Sequence, residues 1–122
     1  MEKTKSFREL TVWQKSMDLV LKIYQQTNNF PQAESYGLTS QMRRAAVAIP
    51  SNIAEGYARS HTKEYARFIS VAFSSGAELE TQLEISKKLS YITDSEHSDA
   101  VALLDEIMRM LNKLSQVLRT NS

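Results

Sequence analysis

The segment Tyr36–Arg59, YGLTSQMRRAAVAIPSNIAEGYAR, constrains this 122-residue chain more than any other. At about 100° per residue, Leu38, Met42, Ala45, Ala46, Ile49, Ile53 and Tyr57 fall in one sector, the width of a core-facing stripe on an amphipathic helix. Gln41, Arg44, Ala48, Asn52, Glu55 and Arg59 gather in a second, narrower polar sector. Pro50 removes the hydrogen bond to the Ala46 carbonyl and crowds it, at about 3 kcal/mol unless the helix bends. The apolar sector stays in phase from Ile49 to Ile53 and Tyr57, so the spacing predicts one helix, about residues 38–58, kinked at Pro50.

Periodicity predicts three more helices, over about residues 11–27, 62–90 and 94–119. The first carries two adjoining apolar lines, Trp13, Met17, Val20, Tyr24 and Val12, Leu19, Ile23. Thr11 with Gln14, or Ser6 with Glu9, offers it a capping box, and Phe30-Pro31 marks its end. The next aligns Tyr65, Ile69, Ala72, Gly76, Leu79 and Leu83. Glycine there costs about 1 kcal/mol against alanine and points to close approach of another helix. Thr93 with Glu96 forms a capping box for the last helix. Its lines Val101, Leu104, Met108, Leu111 and Leu103, Ile107, Met110, Leu114 spread over nearly half its circumference. With three glycines, two prolines and no linker-like cluster, the prediction is an all-α single domain over residues 1–122, an antiparallel up-down-up-down four-helix bundle. The first and fourth helices carry more apolar width than a lone bundle uses, which predicts a homo-oligomer.

The absence of cysteine excludes a disulfide framework, a thiolate metal site and a thiol nucleophile. The charged start MEKTKSFREL has no apolar signal core, and no run approaches the roughly 20 apolar residues of a membrane span. A cytoplasmic protein with no membrane partner is expected. Neither histidine completes a Glu-x-x-His pair. His97 follows Asp94, but that acid sits where it complements a helix N-terminus and needs no metal. No phosphate loop, nucleophile elbow or H-E-x-x-H occurs. We therefore expect no catalytic residues, no metal and no cofactor. Glu80 and Glu84 face away from the apolar line, with Glu84 in reach of Lys87 or Lys88. Glu78 lies on the side where Arg67 and Ser74 also project and is expected as a half-buried acid facing an arginine of the second helix, in a structural ion pair.

The remaining candidate is the polar stripe. Arg44, Arg59, Lys63 and Arg67 supply cations, and a guanidinium fork donates two hydrogen bonds to one phosphate. Glu55 sits among them and favours a network in which it balances Arg44 or Arg59, within or between subunits, joined by Gln41 and Asn52. Arg43 lies about 100° from Arg44, so the two serve different faces: Arg43 edges the core while Arg44 points along the stripe, or the reverse if Pro50 twists the helix. The aromatic residues Trp13, Tyr24, Tyr57, Tyr65, Phe68 and Phe73 are expected in the core rather than as base-stacking platforms. The formal charge is only +1, but residues before Thr93 hold twelve basic against nine acidic side chains, so any electropositive surface belongs to that part.

LTVWQKSMDLVLKIYQQTNNFP, ESYGLTSQMRRAAVAIPSNIAEGYAR and EYARFISVAFSSGAELETQLEISKKLSYI, in that order, resemble the bacterial 23S rRNA intervening-sequence protein family over roughly residues 7 to 92. That family is similar to the accessory variability determinant of diversity-generating retroelements, a strongly basic pentameric barrel that binds nucleic acid. The resemblance implies a four-helix bundle assembled as a pentamer, with no known enzymatic activity, and carries over motif positions that include Arg43, Arg44, Asn52, Glu55, Arg59, Glu78 and Gln82. The leading expectation is a non-enzymatic homo-oligomer that binds RNA or DNA through its phosphate backbone. The alternative is a scaffold whose partner is another protein.

Overall fold

A computed structural model describes residues 6–121; Met1–Lys5 and Ser122 of the expected 1–122 domain lie outside them. Among the described residues there are four α-helices and no strand: α1 (Thr11–Thr27), α2 (Leu38–Tyr57), α3 (Thr62–Lys88) and α4 (Asp94–Thr120), with short 3-10 turns at Phe7–Glu9 and Gln32–Glu34. Each helix packs on two neighbours, in the order α1, α2, α3, α4 and back to α1. At α2–α3, Met42 near the start of α2 meets Ser86 near the end of α3, and Gly56 abuts Tyr65 and Phe68. Glu84–His97 and Gly76–Met108 relate α3 to α4 in the same start-to-end sense. Lys15–Glu106 and Gln26–Glu96 do so for α1 and α4.

The core is aliphatic. Leu19, Ile23, Met42, Ile49, Ile53, Ile69, Leu79, Leu83, Leu104, Ile107 and Leu111 are fully buried, which supplies most of the driving force for folding. α2 runs unbroken through a buried Pro50, since the apolar residues on both sides pack on the same core. Gly76 lets α4 approach: a Cβ there would press on Met108.

Several local expectations are corrected. α1 starts without a side-chain cap. Ser6 instead accepts from the Arg8 N–H in the preceding turn, while Gln14 donates to the Arg8 carbonyl. Of the two apolar lines on α1, Val12, Leu19 and Ile23 are buried and Met17 and Tyr24 are exposed. The buried line is completed by Ser16 and Thr27, whose hydroxyls donate to the Val12 and Ile23 carbonyls and so enter the core with their polarity satisfied. None of the six aromatic residues expected in the core is fully enclosed; Phe73 and Tyr24 are exposed and the others half-buried. Glu84 bonds His97 across the α3–α4 interface at 3.0 Å rather than a lysine of its own helix. α3 ends at Lys88 in a Schellman turn: Ser90 N–H donates to Lys87 and Tyr91 N–H to Ser86, with Ser90 left-handed at φ 61°. The Thr93–Glu96 capping box on α4 is formed in both directions.

Candidate nucleic-acid interface

The corner between α2 and α3 is built on Gly56. α2 ends at Tyr57, where the Ala58 N–H returns to the Ala54 and Gly56 carbonyls. The Arg59 N–H donates to Gly56 at 3.0 Å, and the chain turns through an extended His61 into α3. Lacking a side chain, Gly56 lets the first turns of α3 lie against α2, with Phe68 Cβ and Tyr65 Cδ1 within 3 Å of where its own Cβ would stand. This contact sets Phe68 beside the corner. The Arg59 guanidinium then lies 4.9 Å from the Phe68 ring centroid and that of Arg67 5.3 Å, both within cation–π range. Tyr57 and Tyr65 meet edge to face at 6.0 Å behind them. Burial, with the neighbouring Tyr57 adding to it, pushes the Tyr65 hydroxyl up to about 12.

Lys63 is one turn before Arg67 on α3 and is exposed, as are Arg59 and Arg67. Among the described residues none of the three makes an ion pair. An open cleft of about 940 Å³ beside them is lined by Ser60, His61, Thr62, Lys63, Glu64 and Arg119 among others. Glu64 is the acid of that rim. The corner therefore presents two aromatic-stacked guanidiniums and an ammonium to solvent, a donor set suited to phosphate oxygens.

The other residues singled out from the sequence are placed elsewhere. Arg44 is exposed at the far end of α2, about 20 Å along the helix from the corner by its rise per residue. It lines a separate shallow cleft with Tyr24, Ser40 and Val47. Arg43 lies over the Tyr24 ring at 4.5 Å and donates from Nε to Thr27 Oγ1 at 2.9 Å, tying α2 to the end of α1. Asn52 donates to the Ala48 carbonyl, and Gln41 and Glu55 are exposed. Among the described residues no ion pair joins Glu55 to Arg44 or Arg59 within the chain. Glu78 is exposed rather than half-buried, because it stands a full residue step off the buried line through Leu79. It accepts from buried Gln82 at 3.5 Å, and among the described residues it makes no ion pair with an arginine of α2. Gln82 Oε1 and Gln26 Oε1 are buried without a partner.

Sequence reasoning missed Glu34. Its two carboxylate oxygens accept from the Leu38 N–H at the start of α2 and from the Tyr91 hydroxyl, so it caps one helix and ties it to the α3–α4 connection. Donation to Glu34 holds the Tyr91 hydroxyl above the usual tyrosine range. An acid four residues before a helix start was the available signal. Among the described residues no group of three or more acidic or histidine side chains is arranged to hold a metal. Among the described residues no helix is long and apolar enough to cross a membrane.

Fold and corner together define an all-α bundle with a solvated basic corner. The family model for 23S rRNA-intervening sequence proteins matches residues 8–113, and the chain belongs to that family. Among solved structures it is similar to a protein of unknown function from the S23 ribosomal protein family of Bacteroides thetaiotaomicron. The TM-score is 0.78 at 21% identity, over 86% of this chain and 98% of that one; at such identity the likeness shows the fold alone. No curated protein matches.

Proposed function

We propose that this protein is a non-enzymatic, cytoplasmic homo-oligomer that binds RNA or DNA through the phosphate backbone at the α2–α3 corner. The observation that carries this reading is the convergence of Arg59 and Arg67 on Phe68 with Lys63 one turn away, all exposed and none in an ion pair among the described residues. Stacking pre-orients each guanidinium, so less side-chain freedom is lost when a phosphate is bound. An oligomer repeats the corner once per subunit and offsets the near-neutral charge of a single chain. The second reading, a protein–protein scaffold, is favoured by the exposed apolar side chains Met17, Leu21, Tyr24 and Val47 on α1 and α2.

Fluorescence anisotropy with labelled single-stranded RNA, duplex RNA and duplex DNA at low salt tests the proposal. The wild type binds at least one of them, and the double variant Arg59→Gln/Arg67→Gln loses about tenfold or more irrespective of sequence. Lys87→Gln/Lys88→Gln, at the other end of α3, leaves affinity within about twofold. Failure to bind all three probes overturns the nucleic-acid reading and leaves the scaffold.

A further inference from the structure

The corner between α2 and α3 sorts its charges. Arg59 and Arg67 stand over Phe68, with Lys63 one turn before Arg67, and Lys63 also borders the open cleft of about 940 Å³. The remaining wall of that cleft includes His61, Glu64 and Arg119. Glu64 is exposed, and among the described residues its carboxylate makes no ion pair. An acid that no cation neutralises repels phosphate, so the backbone of a bound strand stays on the cationic side. The group that enters the cleft is then an uncharged one that donates hydrogen bonds to a carboxylate. On a nucleic acid that group is the edge of a base. The cleft has room for one. The exposed imidazole of His61 and guanidinium of Arg119 are side chains on which unstacked bases lie.

We propose that this cleft takes an unpaired guanine from the strand whose phosphates lie on Arg59, Lys63 and Arg67, with Glu64 accepting from its Watson–Crick edge. The inference rests on the phosphate contact in the reading above and names what is read beside it. Guanine presents two adjacent donors on that edge, N1–H and the N2 amine, and the two oxygens of a carboxylate accept both in one bidentate pair. Adenine and cytosine place a single amine next to a ring acceptor, which a carboxylate repels. Uracil places its one N–H between two carbonyl oxygens. In a duplex the same edge of guanine is occupied by cytosine, so the cleft distinguishes a single strand from a paired one.

Fluorescence anisotropy at low salt, with labelled uridine oligomers of about ten nucleotides that are unmodified or carry one central guanosine or inosine, tests the proposal. The guanosine strand is expected to bind about fivefold or more tighter than the all-uridine strand, the low end of what a bidentate base contact gives. Inosine keeps N1–H but lacks the N2 amine, and its strand should fall to within about twofold of the all-uridine one. Glu64→Gln, with unchanged circular dichroism, loses the guanosine preference. It binds the all-uridine strand at least as tightly as the wild type does, because a repelling charge has gone. Equal affinity for the guanosine and uridine strands, or a guanosine preference that survives in Glu64→Gln, overturns the base site. The loss in Arg59→Gln/Arg67→Gln then still reports on the phosphate contact alone. If the wild type binds no strand, the phosphate contact and the base site fall together.

Discussion

Replacing Gly56 by alanine tests how α2 positions α3 and, through it, the basic corner. The new Cβ would stand 2.8 Å from Phe68 Cβ, 2.9 Å from Tyr65 Cδ1 and 3.2 Å from the Tyr65 carbonyl oxygen. A carbonyl oxygen and a Cβ cannot swing away, so the first turns of α3 must move off α2. Overpacking of this kind costs about 1–3 kcal/mol. The better helix propensity of alanine offsets up to about 1 kcal/mol, less near the last turn of a helix. The net expectation is a loss of about 1–2 kcal/mol, or a melting midpoint lower by about 3–10 °C for a chain of this size. Gly76→Ala is the internal control. There the Cβ meets the Met108 thioether, the far end of a flexible side chain, and Leu104 Cδ1 at an ordinary 3.5 Å, so stability stays within about 1 kcal/mol of wild type. Urea unfolding followed by circular dichroism gives both values. The reasoning fails if Gly56→Ala is as stable as the wild type, or if Gly76→Ala costs more than Gly56→Ala.

Three further outcomes follow from local geometry. Thr93→Ala removes the capping box of α4 and is expected to cost about 1 kcal/mol in the same unfolding experiment. Ser90→Gly relieves a left-handed serine at φ 61° in the Schellman turn and should add about 0.5–1 kcal/mol; a loss of stability would contradict the strain assigned to that residue. In an alkaline titration followed by tyrosinate absorbance, Tyr65→Phe should remove a transition at about pH 12. Because that folded value lies above the ordinary tyrosine value of about 10, the stability it contributes is intact below pH 10. It is lost as pH rises from about 10 to about 12.

The helices were legible because their apolar lines recur at helical spacing over many turns. The choice between lines was less so. On α1 two adjoining apolar lines are visible in the sequence, but not that the buried one also holds Ser16 and Thr27, whose hydroxyls satisfy themselves on the preceding turn. Nothing in a hydropathy pattern distinguishes such a serine from a solvated one. Glu84 and Glu34 were misread or missed for a related reason, since their partners His97 and Tyr91 come from other elements and lie 13 and 57 residues away. In the candidate site, Arg59, Lys63 and Arg67 are close enough in sequence for one helix corner to gather them. Arg44 shared their helical phase through Arg59 but not their level along the axis, and a helical wheel discards that coordinate.

The salt dependence of binding tests the central claim most directly. If Arg59, Lys63 and Arg67 each neutralise one phosphate, the plot of log affinity against log salt has a slope of about −2.7 per chain on a duplex and about −2 on a single strand. Replacing all three by glutamine should flatten it by that amount while the circular dichroism spectrum stays unchanged. A wild type that binds with the same slope as the triple variant would contradict the assignment of this corner as the phosphate contact.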